Sequence, residues 1–148
     1  MNEEYILNQN FEITGGDFSN AGKISTSIKE ILREIGIDHS IIIRASIAIY
    51  EAEMNVVMYA RRATLCLNIN PEKLHFELKD EGPGIKNIDL AMKEGFSTAT
   101  DEMREMGFGA GMGLPNIKKN ADRFKITSTP GEGTALNMTF CLDKTGKK

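Results

Sequence analysis

The chain has 148 residues, a length that suits one domain with a core made from one sheet and a layer of helices. Its 18 basic and 21 acidic side chains leave a formal charge of −3, which offers nucleic acid no basic groove. Met1–Glu4 is acidic, unlike the basic lead of a signal peptide, and Arg44 and Glu51 interrupt the most apolar run, so no membrane span and a cytoplasmic location are expected.

In chain order, Tyr5–Ile13 is β-prone and partly alternating, and Thr14–Asp17 closes it as a turn. From Phe18 to Ile35, residues Ile24, Ile28, Ile31, Leu32 and Ile35 recur at helical spacing, and Gly36 is a stop. Asp38 or Ser40 can cap a second helix running to about Arg62. Its isoleucine-rich first half has β propensity, but roughly 22 residues without a breaker exceed a usual strand. A helix this apolar should lie against a sheet. Ala63–Asn70 and Leu74–Asp80 alternate about a turn at Pro71–Lys73, which predicts a hairpin. A short helix is expected over Asn87–Lys93, a mobile loop over 94–106, and a helix over Asn116–Phe124. Lys125–Thr129 and Thr134–Leu142 form a second hairpin around Pro130–Gly133, and 143–148 is a polar, frayed tail. The result is one domain over 1–148, an α/β two-layer sandwich: a mixed, mostly antiparallel sheet with helices on one face.

Three clusters could carry chemistry. Glycines 107, 109, 111 and 113 alternate into a helix start, where uncovered backbone N–H groups and the helix dipole favour phosphate. A P-loop would need Lys-Ser/Thr after the last glycine, where Leu114 and Pro115 stand, and no G-x-G-x-x-G is present. Glu51 and Asn55 lie four apart and share one side of the long helix; they are either a solvent stripe or a base beside a neutral Mg²⁺ ligand. Glu53 points away from that pair and reads as solvent-facing. Asp80-Glu81-Gly82-Pro83-Gly84-Ile85 follows a strand, so the Asp80 carboxylate could accept from an exocyclic amine, with Thr134 offering a hydroxyl nearby. Cys66 and Cys141 lack C-x-x-C spacing and are expected as buried thiols, and His39 and His75 as structural.

The order of these clusters says more than any one of them. Glu51-Ala52-Glu53-Met54-Asn55, then Asp80 to Gly84, then Gly107 to Gly113, then Gly131-Glu132-Gly133-Thr134 resembles the ATP-binding boxes of the GHKL, or Bergerat-fold, superfamily of ATPases and kinases. Within it, Glu94-Gly95-Phe96-Ser97-Thr98 and Gly111-Met112-Gly113-Leu114-Pro115 are most similar to the anti-sigma factor and stressosome switch kinases. The resemblance implies ATP and Mg²⁺ as cofactors, Glu51 as the general base and Asn55 as the metal ligand. It implies that Asp80 reads adenine, supported by Gly82, Gly84, Ile85 and Thr134. Gly107, Gly109, Gly111, Met112, Gly113 and Leu114 would line the triphosphate under a lid at 94–106. The glycine run is longer than the G-x-G-L usual in that group.

The function implied is a serine/threonine protein kinase acting on a STAS-domain antagonist in a sigma-factor or stress pathway. The alternative is a nucleotide-switched module that sequesters a sigma factor or a PP2C-type phosphatase with little or no kinase activity. The group also implies a possible homodimer.

Overall fold

The computed structural model describes residues 7–93 and 113–142. The expected lid at 94–106, the polar tail, Gly107, Gly109, Gly111 and Met112 therefore lie outside the described residues.

Strand β1 (Leu7–Thr14) leads through a short 3₁₀ turn (Phe18–Asn20) into helices α1 (Lys23–Ile35) and α2 (His39–Tyr59). The first hairpin is β2 (Arg62–Ile69) and β3 (Lys73–Glu81), followed by α3 (Ile88–Ala91). Helix α4 (Gly113–Asn120) precedes the second hairpin, β4 (Arg123–Thr129) and β5 (Gly133–Cys141). Strand order is β1-β2-β3-β5-β4, and each neighbouring pair is antiparallel, so the sheet expected to be mixed is antiparallel throughout the described strands. The predicted hairpins stand, joined through β3 and β5.

Period-2 alternation sorts the sheet into two faces. Phe11, Leu65, Leu78 and Leu136 stand in one cross-strand row, and Leu67, Phe76 and Met138 in the next. Leu67, Phe76 and Met138 are fully buried, each worth about 2 kcal/mol of hydrophobic stabilisation. Phe76 and Phe140 meet edge to face with centroids 6.0 Å apart. The opposite face is polar. There His75 bonds Thr139 Oγ1 at 3.0 Å and Asn137 Oδ1 at 3.1 Å, a structural role as expected.

The same parity corrects the cysteines. Cys66 lies between inward Leu65 and Leu67, and Cys141 follows inward Phe140, so both thiols belong to the outer face. Cys66 is half-buried and Cys141 exposed, and both are free, rather than buried as their apolar neighbours suggested.

The helices cover the inner face with α2 in the middle, between α1 and α4. Asp38 caps α2 by accepting from the Ser40 N–H at 3.2 Å. Gly36, at φ 92°, ends α1 with its N–H bonded to Leu32 and Arg33 carbonyls. Although α2 buries Ile42, Ala45, Ala48, Ile49, Ala52 and Val56 against the core, Ile43, Ile47 and Tyr50 remain 46, 39 and 45% exposed. Its apolar surface is thus wider than the face the sheet can cover.

Two charges on α2 cap its neighbours. Arg44 Nη1 donates to the Asn120 carbonyl at 2.9 Å and to Asp122 Oδ1 at 3.3 Å, placing a cation at the negative end of α4. Glu53 is 2% exposed and accepts from the N–H groups of Gly22, Ile24 and Ser25, placing an anion at the positive end of α1. The solvent-facing reading of Glu53 is therefore wrong: the amides it meets belong to an element that helical spacing alone cannot bring to it.

Several helix boundaries also move, α2 ending at Tyr59 with Arg62 already in β2. Helix α1 begins at Lys23 rather than Phe18, because Gly22 at φ 96° separates it from the 3₁₀ turn. Helix α4 takes in Gly113, Leu114 and Pro115 and ends at Asn120, while Phe124 pairs with Met138 in the sheet. Proline suits a first helical turn, where its missing N–H costs nothing.

Candidate functional site

The site has two halves, one at the end of β3 and one on α2. Along β3, Asp80 follows Leu74, Phe76 and Leu78 at two-residue spacing, and it pairs with Ala63. Alternation therefore carries a carboxylate onto the helix-covered face, where it is half-buried. Asp80 Oδ1 accepts from the Thr134 N–H at 3.0 Å, which leaves Oδ2 without a partner among the described residues. Burial holds this carboxyl above its ordinary value of 3.8, and the Thr134 bond offsets part of the rise.

The chain around Asp80 is packed too closely for side chains. A Cβ on Gly133 would stand 2.1 Å from the Asp80 carbonyl oxygen and 3.1 Å from Oδ1, so only glycine lets β5 start there. The turn after β3 is tied to the β4–β5 turn by Gly82 N–H to Glu132 O at 3.1 Å and Gly131 N–H to Pro83 O at 2.7 Å. Gly84 sits in the left-handed region at φ 73°. Ile85 follows with its N–H on Ser128 Oγ at 2.7 Å, and that hydroxyl lies 2.9 Å from Thr134 Oγ1.

Ser128 was missed by the sequence reading. Its role emerges only with the observed β4–β5 register, which sets Ser128 opposite Thr134 as a cross-strand hydroxyl pair, where the predicted turn at Pro130–Gly133 would have set Thr129 there.

The second half is the face of α2 turned toward α4. Glu51 and Asn55 are both partly buried, one helical turn apart. Above them lies Gly113, where a Cβ would be 3.3 Å from Asn55 Oδ1 and 3.6 Å from Glu51 Oε1. Asn116 Nδ2 donates to Glu51 Oε2 at 3.2 Å. Neither residue is part of a solvent stripe: the last glycine of the run passes directly over the pair. Leu114 is 9% exposed and its side chain belongs to the core with Ile117. Asn116 too escaped the sequence reading, since only the tertiary packing of α4 on α2 brings it to Glu51.

The halves meet at the end of α2. A Cβ on Gly82 would stand 3.0 Å from Ala60 Cα, and Ala60 is five residues, or about 7.5 Å along the axis, beyond Asn55. Among the described residues no three His, Cys, Asp or Glu side chains gather as a metal cage. A divalent cation at Asn55 would thus depend on ligand oxygens, which fits Mg²⁺, a cation that keeps waters and takes few protein groups. The Asn55 amide makes no hydrogen bond among the described residues that would compete for its oxygen.

Chemically, the arrangement offers an acid set in a closed turn at one end and a held carboxylate beside a neutral amide at the other. Over the second passes a glycine-bearing helix start. Residues 17–140 match the family described as histidine kinase-like ATPase domain. The serine/threonine-protein kinase RsbT of Bacillus subtilis is 30% identical over 112 residues, 73% of this chain and 78% of that protein. An anti-sigma F factor of Thermoanaerobacter is 34% identical over 97 residues, 62% of this chain and 64% of its own length. The crystal structure of the RsbU and RsbW domains of Rv1364c from Mycobacterium tuberculosis superposes with a TM-score of 0.58 at 18% identity. It covers 89% of this chain and 32% of that one, a likeness of fold.

Proposed function

The chain belongs to the histidine kinase-like ATPase family, and from that premise we propose that it is an ATP- and Mg²⁺-dependent serine/threonine protein kinase acting on a STAS-domain antagonist. It would serve a partner-switching circuit that governs a sigma factor or stress response, in keeping with relatives named as a protein kinase and as anti-sigma factors. The observation that carries the reading is Glu51, held by Asn116 beside Asn55 and directly under Gly113.

Bound Mg²⁺·ATP supplies a γ-phosphoryl group for transfer to a hydroxyl. Glu51 Oε2 is occupied by Asn116, so Oε1 is the atom left to take the proton of the incoming seryl or threonyl hydroxyl. Asn55 offers its amide oxygen to the cation. Asp80 Oδ2 accepts from the adenine amine, with Gly82, Gly84, Ile85 and Thr134 shaping the turn that presents it. Gly113 and Leu114 contribute main chain at the phosphate end; Gly107, Gly109, Gly111 and Met112 are proposed as the rest of that cradle.

Incubation with labelled ATP and a purified STAS-domain protein tests this. Label should appear on a serine or threonine of the partner in the wild type and be lost in Glu51→Ala, which keeps nucleotide binding. A second reading, sequestration with little transfer, is favoured by the likeness to anti-sigma F factors. A stable, unlabelled complex with a sigma factor or a PP2C-type phosphatase would support it instead.

A further inference from the structure

A cleft of about 740 Å³ runs between α1 and α2, on a different side of Glu51 from the adenine turn. Gly22, Ser25 and Ser27 line one wall; Ser46, Tyr50 and Glu51 line the other. Its size is that of a ligand site, and neither Asp80, Thr134 nor Gly113 takes part in it. Ser46 Oγ is buried in the second wall without a hydrogen-bond partner among the described residues. Lys23 and Lys29 stand on the same wall as Ser25, so the complementary segment carries acidic neighbours.

The position of that first wall is set from below by Glu53. Its Oε1 accepts from Ser25 N–H at 2.9 Å and Ser25 Oγ at 2.6 Å, and its Oε2 from Gly22 N–H at 3.0 Å and Ile24 N–H at 3.3 Å. One buried carboxylate, two residues from Glu51, thus fixes the whole first turn of α1.

We infer that Glu53 is a positioning residue for the acceptor side of the site: it holds the first turn of α1 as one wall of a cleft that ends at Glu51. Through this cleft a polar, hydroxyl-bearing segment of the protein substrate reaches the base. The inference rests on the kinase reading for its identification of the acceptor. It goes further in separating the acceptor's path from the nucleotide's, with Glu51 as the residue both share.

The test titrates the full chain separately with a purified STAS-domain protein and with Mg²⁺·ATP, for wild type, Glu53→Ala, Glu53→Gln and Ser27→Trp. Ser27 is exposed on the cleft wall, so the tryptophan obstructs the cleft without entering the core. Ser27→Trp and Glu53→Ala should bind the STAS protein about tenfold more weakly. Both should bind nucleotide within about twofold of wild type. Glu53→Gln should fall between, because its amide oxygen still accepts N–H bonds. Unchanged STAS affinity in Ser27→Trp and Glu53→Ala overturns the inference. So does a parallel loss of nucleotide affinity, which would make Glu53 a general support of the fold. Should Glu53→Ala fail to fold, Ser27→Trp together with Ser25→Ala decides by the same readouts. A wild type that binds the STAS protein through this cleft yet transfers no phosphate removes the kinase reading and leaves the cleft assignment supported.

Discussion

Asn116 Nδ2 lies 3.2 Å from Glu51 Oε2, a hydrogen bond that spans from α4 to α2 and aims one carboxylate oxygen away from the other. Asn116→Ala removes the donor but no charge. Phosphoryl transfer should fall by about five- to tenfold, as one hydrogen bond is worth about 1 kcal/mol, while nucleotide affinity stays near wild type. Glu51→Ala should cost at least about 10²-fold in transfer with nucleotide affinity again retained. A single-turnover assay paired with calorimetry checks both; equal rates in Asn116→Ala and wild type would remove Asn116 from the site's machinery.

Asp80 presents a trade between binding and stability. Burial raises its carboxyl above 3.8, so folding favours the protonated acid. That contribution is fully present below the unfolded value and is lost as pH rises through the folded one, so at neutral pH the ionised group is a cost. Asp80→Asn keeps an oxygen for the Thr134 N–H and removes the charge. The nucleotide-free variant should therefore melt higher than wild type at pH 7, with the gain shrinking toward about pH 4. Its ATP affinity should drop by about 10- to 100-fold, the worth of a bond to a charged acceptor. Melting curves across pH and calorimetry read the two effects separately, and a variant that melts lower at pH 7 would contradict the burial argument.

Gly133→Ala would set a Cβ 2.1 Å from the Asp80 carbonyl oxygen, a contact relieved only by moving β3 or β5. We expect a loss of about 2–3 kcal/mol in stability, together with weaker ATP binding, since the strand that moves carries Asp80. Denaturant titration reads the first quantity; normal stability would mean that the β4–β5 turn has more room than the packing indicates.

Arg44→Met deletes the guanidinium that meets the end of α4 and whose Cζ lies 5.8 Å from the centroid of the Phe140 ring. The Asp122 pair is partly exposed and worth little, so most of the effect comes from the Asn120 carbonyl and the Phe140 ring. The urea midpoint should fall by the equivalent of about 1–2 kcal/mol with an unchanged slope. A midpoint equal to wild type would show that solvent serves the carbonyl as well as arginine does.

Much of this was legible in the sequence because its signals are local. Alternation gave both hairpins, and the same parity set Asp80 on the face of Phe76 and Leu78. The four-residue spacing of Glu51 and Asn55 placed them together, and the glycines marked where backbone had to come close. What was not legible depends on contacts between distant elements. Glu53 reads as exposed until α1 is packed beside it; Asn116 and Ser128 read as ordinary polar residues until α4 meets α2 and β4 pairs with β5. The cysteines misled because apolar neighbours in a strand lie on the opposite face from the residue between them.

The two capping charges on α2 bear on how the site is kept in aim. Successive residues turn a helix by about 100°, so slipping α2 by one position would swing Arg44 off α4 and Glu53 off α1 together. The same slip would swing Glu51 and Asn55 away from Gly113. Rotational register of the central helix is therefore checked at both ends by unlike charges, and the one setting that satisfies both is the setting that points the carboxylate and amide at the glycine loop.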